Sequence, residues 1–114
     1  LGIRFLKHIA RTKLLFHVVD IAPIDGSDPV GNIEVIIDEL IKFDPNLLQK
    51  ERWLVLNKID LLPIQTAKQI SDDLVKRLQW KGQVFLVSAI TKQGLDKLSN
   101  AAMHYLDSLH METP

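Results

Sequence analysis

Residues 53–60 read Trp-Leu-Val-Leu-Asn-Lys-Ile-Asp, an apolar run that ends in a cluster of polar side chains. A short, uncharged run of this kind is typical of a strand that is buried on both faces of a parallel sheet. We predict this strand over residues 52–56, with similar strands over residues 14–19 and 84–87. Amphipathic helical patterns separate the three runs. The sequence therefore predicts an α/β fold built on a three-stranded parallel sheet.

Four helical patterns flank the predicted strands. The first runs from residue 1 to about residue 10, and the second begins where Asp28 supplies an N-cap and Pro29 the first helical residue. Pro63 opens the third helix, and Gly94 precedes the fourth. The order αβαβαβα describes one domain over residues 1–114. The residues expected on buried helix faces are Phe5, Leu6, Ile9 and Ala10, then Ile33, Ile36, Ile37, Leu40 and Ile41, then Ala67, Ile70, Leu74 and Leu78, and finally Leu95, Leu98, Ala101, Ala102, Tyr105, Leu106 and Leu109.

Composition limits the classes of protein that fit. The chain has 114 residues, of which 46% are hydrophobic, enough for one small core. The formal charge is +0 and the pI is about 7.1, so overall charge gives no argument for nucleic acid, an anionic membrane or an acidic substrate. The absence of cysteine excludes disulfides and thiolate zinc sites, and it suits a cytoplasmic protein. We expect no transmembrane helix and no signal peptide.

Polar residues follow all three predicted strands. In an open parallel sheet, ligands bind beyond the carboxyl ends of the strands. These ends carry Asp20, the quartet Asn57-Lys58-Ile59-Asp60, and Ser88. The Asp60 carboxylate can accept two hydrogen bonds side by side, which matches the N1–H and the exocyclic amine of guanine and does not match adenine. An unpaired carboxylate in the site would reject the wrong base by a factor that can reach roughly 10⁴.

The neighbouring residues can complete half of a guanine pocket. Lys58 can lay its methylene stem across the base plane, and the Asn57 amide can tie its loop to the next one. After the third strand, Ser88-Ala89-Ile90 forms a second loop that starts with two small residues. We expect the Ala89 N–H to point at guanine O6 and the Ser88 hydroxyl to hold the base-reading carboxylate.

Four segments carry a family resemblance. They are residues 1–9 (Leu-Gly-Ile-Arg-Phe-Leu-Lys-His-Ile), 17–21 (His-Val-Val-Asp-Ile), 23–29 (Pro-Ile-Asp-Gly-Ser-Asp-Pro) and 52–62 (Arg-Trp-Leu-Val-Leu-Asn-Lys-Ile-Asp-Leu-Leu). With the Ser-Ala-Ile loop, they resemble the C-terminal half of the GTPase domain of the Obg family of ribosome-associated GTPases. The similarity spans essentially the whole chain, and residues 1–9 and 25–29 are more family-specific than the base motif.

The resemblance implies a fold for this chain and an activity for a longer parent protein of which the chain would be a part. The fold would be three-layered and P-loop NTPase-like, here cut to about three strands. The parent would bind GTP and GDP with magnesium, hydrolyse GTP slowly and act in assembly of the large ribosomal subunit. The base-binding residues implied by the resemblance are Asn57, Lys58, Ile59, Asp60, Ser88, Ala89 and Ile90.

The same resemblance implies that catalytic parts of the domain lie elsewhere. A phosphate loop, two switches and an Asp-x-x-Gly metal motif would all precede Leu1. The chain would then be a partial GTP-binding domain with guanine recognition, no catalytic residue and no metal ligand. Its start at Leu1, inside a helical pattern and without methionine, indicates a cut through a larger protein.

Other motifs have simpler explanations. Gly26 and Gly31 have the glycine spacing of a phosphate loop, but the lysine and Ser/Thr that must follow are replaced by Asn32 and Ile33. The chance Asp-x-x-Gly at residues 28–31 is better explained by helix capping. A hard-cation site could use Asp20, Asp25 and Asp28, although turn and cap roles are favoured. The histidines lack metal-ligand spacing, His17 is expected to be a hydrogen-bonded structural residue, and Trp53 and Trp80 are expected to pack.

Two further expectations concern partners. The alternative function is a non-catalytic, doubly wound α/β module for protein–protein interaction that merely retains the base-motif loop. The resemblance also implies that the strand from Leu14 to Val19 is flanked in the intact domain by the strand that carries the phosphate loop, and its loss would leave a long, uncharged edge. Such an edge is a template for pairing with another chain, so we expect self-association.

Overall fold

The structure is a computed structural model that describes residues 2–112, with their side chains except those of residues 5, 8, 9 and 110–112. Three parallel strands and four α-helices make up this part of the chain. The strands are β1 (Leu14–Asp20), β2 (Glu51–Asn57) and β3 (Val84–Leu86), arranged in the order β1-β2-β3. The helices are α1 (Ile3–Ile9), α2 (Pro29–Phe43), α3 (Ile64–Leu78) and α4 (Leu95–Glu112), with short 3₁₀ helices at Pro45–Gln49 and Ile59–Leu61. The predicted α/β class, parallel sheet and element order are confirmed. Leu1 and the predicted inward packing of Phe5 and Ile9 lie outside the described residues and side chains.

The central strand β2 is covered on both faces, as its apolar run predicts. Leu54 and Leu56 point toward the cluster formed with α2 and α3, where Ile33 and Leu74 are also buried. Trp53 and Val55 lie on the other face in a cluster completed by Phe85, Val87 and Leu98. Because none of residues 53–56 is more than 3% exposed, β2 fixes the position of whatever follows it in the chain.

Strand β1 does not have the two-sided cover that its sequence predicts. Phe16 and Val18 are 42% and 59% exposed, whereas His17 and Val19 are buried. The register places Phe16 beside Trp53 and Val18 beside Val55, so these residues share the face that α4 covers on β2 and β3. Cover by α4 does not extend to the middle of β1. The apolar run therefore predicted the strand correctly, but the burial on both faces that it also predicted is wrong for β1.

Helix ends follow the capping signals in the sequence. The Asp28 carboxylate accepts a hydrogen bond from the Val30 N–H at 3.2 Å, and Pro29 is the first residue of α2, as predicted. Asp28 also forms a bidentate pair with Arg77, at 3.2 and 2.6 Å, which links α2 to α3 and holds the pKa of Asp28 below its usual range. Pro63 is the N-cap of α3 and not its first residue. The 3₁₀ helix at Pro45–Gln49 was not predicted, although Asp44-Pro45 repeats the Asp-Pro signal and the Asp44 carboxylate caps it.

Four residues predicted on buried helix faces are exposed. Ile36 and Ile41 are both 39% exposed and Leu106 is 40% exposed, because each lies at the margin of its apolar stripe, and Ala10 is exposed at the end of α1. The remaining helix α1 packs through Leu6 against Leu40 and Leu47. Within residues 2–112, no helix is both long enough and apolar enough to cross a bilayer.

His17 differs from its sequence-based interpretation. It is buried in β1 with its ring edge against Trp80, at a centroid distance of 5.6 Å. Its Nε2 has no hydrogen-bond partner among the described residues, so the predicted hydrogen bond is wrong for this atom. Burial, followed by the positive charge of Arg52, lowers the pKa of His17 to about 4. The ring is therefore neutral at physiological pH.

Candidate nucleotide-base site

The carboxyl ends of the strands bring together most of the predicted site residues. Asp20 ends β1 and Asn57 ends β2, and their Cα atoms are partners in the sheet register. The Lys58 ammonium lies 3.0 Å from Asp20 Oδ2, so an ion pair bridges the first two strand ends. The sequence alone did not pair Asp20 with Lys58. Both side chains are partly exposed, so the pair contributes about 1 kcal/mol at most.

The quartet forms a tight turn that is anchored by its own backbone. Lys58 has φ of 71°, in the left-handed region, which is unfavourable for a residue other than glycine. The following residue compensates for this strain. The Ile59 N–H donates to the Val87 carbonyl at 3.3 Å, and the Ile59 side chain is buried in the core. The burial of Ile59 leaves its side chain unavailable to a base, so it holds the loop instead of lining the site.

A direct hydrogen bond joins the two predicted base loops. The Ala89 N–H donates to Asn57 Oδ1 at 3.0 Å, which confirms the predicted tie between them. Because a backbone N–H can only donate, the amide atom that faces it must be the oxygen. The Asn57 Nδ2 donors have no partner within the described residues and remain available to a ligand acceptor. The Ala89 N–H, in contrast, reaches a base oxygen only if this bond is shared or replaced.

Ser88 has a different role from the one its position suggested. Its side chain is 1% exposed, its Oγ accepts a hydrogen bond from the Thr91 N–H at 3.1 Å, and its own N–H donates to the Gln93 carbonyl at 2.9 Å. These bonds shape the second loop. No bond between Ser88 and Asp60 exists among the described residues, so the expectation that this hydroxyl holds the carboxylate is wrong in this structure.

The Asp60 carboxylate makes no polar contact with the other described residues of the site. It lies in the 3₁₀ turn Ile59–Leu61, is exposed, and has no hydrogen-bond or ion-pair partner within the described part of the chain. Ile90, the last predicted site residue, is 81% exposed on the second loop. An acceptor that is free in this way can receive two donors from a ligand edge without first breaking an internal contact.

A cavity next to the ion pair was not foreseen from the sequence. It has a volume of about 540 Å³ and is lined by Asp20, Lys58 and Asn32 together with apolar side chains that include Val18 and Ile33. It opens beside the end of β1. A ligand bound by the quartet would therefore have free space on the side where Lys58 lies.

Asp25 and Asp28 have the turn and cap roles that the sequence favoured, whereas this interpretation is wrong for Asp20, which ends β1 and forms an ion pair. Asp25 Oδ1 accepts from the Ser27 N–H at 3.0 Å, and hydrogen bonds from Ser27 lower the pKa of Asp25. Asp28 caps α2 and Asp20 pairs with Lys58. Gly31 lies inside α2, so the glycine pair belongs to a loop that feeds a capped helix. Within residues 2–112, no group of three or more acidic, histidine or cysteine side chains is arranged to hold a metal ion.

No protein-family model matches the chain. The geometry alone provides a free carboxylate, free amide donors and a lysine stem at the carboxyl edge of a parallel sheet. These groups can read the edge of a planar, hydrogen-bonding ring.

Proposed function

We propose that the chain is the guanine-recognising part of an Obg-type GTPase domain with a P-loop NTPase-like fold. The hydrogen bond between Ala89 N–H and Asn57 Oδ1 is the observation that carries this proposal, since it joins the two loops that would contact one base. The bond holds the loops of two adjacent strand ends next to each other, as a site formed by both loops requires. The order of strands and the quartet at the end of the central strand support the same reading.

Each site group has a chemical role in the proposal. Asp60 accepts guanine N1–H and the exocyclic amine, and the Asn57 amide donors face the acceptor N7. The stem of Lys58 covers one face of the ring. Ala89 shares its N–H with guanine O6, and Ile90 covers the ring margin. Adenine has an acceptor at N1 and no amine at C2, so it leaves the carboxylate without its two donors.

For the longer protein of which this chain would be a part, the proposed activity is GTP hydrolysis with magnesium, in assembly of the large ribosomal subunit. This chain contributes base recognition and contains no Gly-x-x-x-x-Gly-Lys-Ser/Thr segment. Its described residues also do not fit a magnesium site, so no metal ligand is assigned among them. We therefore propose no catalytic residue in this chain.

Replacing Asp60 by asparagine is expected to change base preference. Asparagine offers one acceptor and one donor, which matches the N1–H and the C2 carbonyl of xanthine. We expect guanosine binding to weaken about tenfold or more, since a charged hydrogen-bonding acceptor is lost, and xanthosine binding to strengthen. Chemical-shift titration of the isotope-labelled chain with both nucleosides measures the change. The matched control is Asp72→Asn, because Asp72 is an exposed residue of α3.

The result also separates the proposal from its alternative. A doubly wound protein-interaction module has no reason to distinguish guanosine from xanthosine. If D60N and D72N behave alike toward both nucleosides, the interaction module is the better description. If only D60N changes its preference, the base is read by this carboxylate.

We further propose that β1 pairs with a second copy of the chain. β1 is an edge strand of the described sheet, and residues 14–19 carry no charge at neutral pH because His17 is neutral. In a symmetric antiparallel pair centred on His17, Phe16 of one copy lies opposite Val18 of the other. Sedimentation velocity should show dimers that the Val18→Lys substitution removes. A wild-type chain that stays monomeric at every concentration would contradict this pairing.

A further inference from the structure

Arg52 is a cation without a matching acceptor. Its guanidinium lies over the Trp80 ring, with Cζ 5.2 Å from the ring centroid. Its Nη1 is buried and makes no hydrogen bond within residues 2–112. A buried donor on a charged group costs free energy when it is unpaired, so native proteins seldom keep one without a partner. Burial also lowers the pKa of Arg52, in the direction expected for a cation that lacks a counter-ion.

A basic cavity surrounds this arginine. It has a volume of about 440 Å³ and is lined by Lys50, Arg52 and Lys81, with Glu51 as its carboxylate. Glu51 is partly engaged elsewhere, because its Oε1 accepts from the Trp53 indole N–H at 3.2 Å. No ion pair between Glu51 and these cations exists among the described residues. The cavity therefore has an excess of positive charge that nothing within it balances.

The cavity wall is built to hold its shape. The Trp80 indole N–H donates to the Gln83 carbonyl at 3.2 Å, which fixes the ring beneath the guanidinium. A Cβ on Gly82 would come within 2.6 Å of the Arg52 carbonyl and 3.2 Å of Trp80 Nε1, so only glycine fits the turn at this point. Lys50 is positioned by a 2.7 Å bond from its ammonium to the Thr12 carbonyl, which leaves two further donors.

We propose that this cavity binds a small phosphate monoester. The cations of Lys50, Arg52 and Lys81 outnumber the Glu51 carboxylate, so the cavity attracts a dianion, and guanidinium groups are favoured partners of phosphate. The apolar wall, which includes Trp80, Leu48 and Leu78, accommodates a ring or chain attached to the phosphate. The site lies at the amino end of β2. Arg52 and Asn57 are five residue steps apart along the strand, about 17 Å, so this site is separate from the proposed base site.

The test uses phenyl phosphate and the isotope-labelled full chain. We expect shifts at the Trp80 indole N–H and at the amides of residues 80–82. Binding should weaken about tenfold or more in both Arg52→Met and Lys81→Gln, since each loses a charged donor. Methionine keeps the packing of the arginine stem, and Lys81 is exposed, so one of the two variants should fold normally even if the other does not. The control Lys68→Gln removes a cation near the start of α3 and should bind normally.

Two more probes test how the charge and the ring of the ligand contribute to binding. Benzenesulfonate has the same ring with a single charge, and it should bind more weakly than phenyl phosphate. Inorganic phosphate lacks the ring and should bind at the same cations with lower affinity. Equal affinity for the sulfonate, or unchanged binding in both R52M and K81Q, would overturn the assignment. Substituting Asp60 should leave phosphate binding unaffected.

Discussion

Gly94→Ala is expected to destabilise the chain by about 2–4 kcal/mol and to displace the second base loop. Gly94 has φ of +79°, and a Cβ at this position would lie 2.4 Å from the Leu86 carbonyl oxygen. That oxygen belongs to the backbone of β3, so it cannot move aside as a flexible side chain would. Gly94 also accepts the first hydrogen bond of α4, from the Leu98 N–H at 3.1 Å. Relief of the clash must therefore shift either β3 or the start of α4.

Variants at two other glycines distinguish the effect of the steric clash at Gly94 from the effect of its positive φ. Gly26 has φ of +71° with open space around its Cβ position, so Gly26→Ala should cost only about 1 kcal/mol. Gly31 lies inside α2, also with open space, and alanine there should stabilise the chain by roughly 0.5–1 kcal/mol. Urea unfolding of the three variants measures these differences. Similar losses for G94A and G26A would show that the contact with Leu86 is unimportant.

The stability of the chain is expected to fall by about 2 kcal/mol between pH 7 and pH 5 because of His17. The pKa of His17 is lowered to about 4 in the folded chain, against an ordinary value of 6.5. The unfolded chain therefore binds more protons between these two values. The contribution of neutral His17 is fully present above pH 6.5, is lost progressively as pH falls, and reaches its full loss, about 3 kcal/mol, below pH 4.

A pair of histidine variants isolates this effect. His17→Phe keeps an aromatic ring beside Trp80 and removes the titrating group, so its free energy of unfolding should depend less on pH between 4 and 6.5. His104 is exposed on α4, so His104→Gln should retain the wild-type slope. Urea unfolding at a series of pH values gives the slope for each protein. A wild-type slope in H17F would mean that other groups cause the acid sensitivity.

Local patterns predicted the parts of the fold that depend on sequence neighbours. The apolar run of residues 53–56 identified a strand buried on both faces, and the Asp-Pro pair at residues 28–29 located the start of α2. The cover over β1 depends on how far α4 reaches across the sheet. No local pattern contains that information, so the exposure of Phe16 and Val18 could not be predicted.

The sequence predicted which residues the site contains, but it predicted only part of how they contact one another. The tie between the two loops through Asn57 was predicted from their places at adjacent strand ends, but its donor, the Ala89 N–H, was expected to face guanine O6 instead. The burial of Ile59 and the bond from Thr91 N–H to the Ser88 hydroxyl depend on the exact course of each loop, which residue types do not specify. The ion pair between Lys58 and Asp20 forms with Lys58 in a left-handed conformation, which is uncommon for lysine. The buried Arg52 Nη1 had no counterpart in any motif.

We propose that this chain reads guanine, and nucleoside titration of the isotope-labelled chain tests that proposal most directly. Guanosine and adenosine are compared without phosphates, so that only base recognition contributes. We expect guanosine to shift the amides of residues 57–60 and 88–90 with a dissociation constant of about 1 mM, since a few hydrogen bonds must offset the entropy of association. Adenosine should bind at least about tenfold more weakly. Equal shifts with both nucleosides, or no shifts in the two loops at saturating guanosine, would contradict the account.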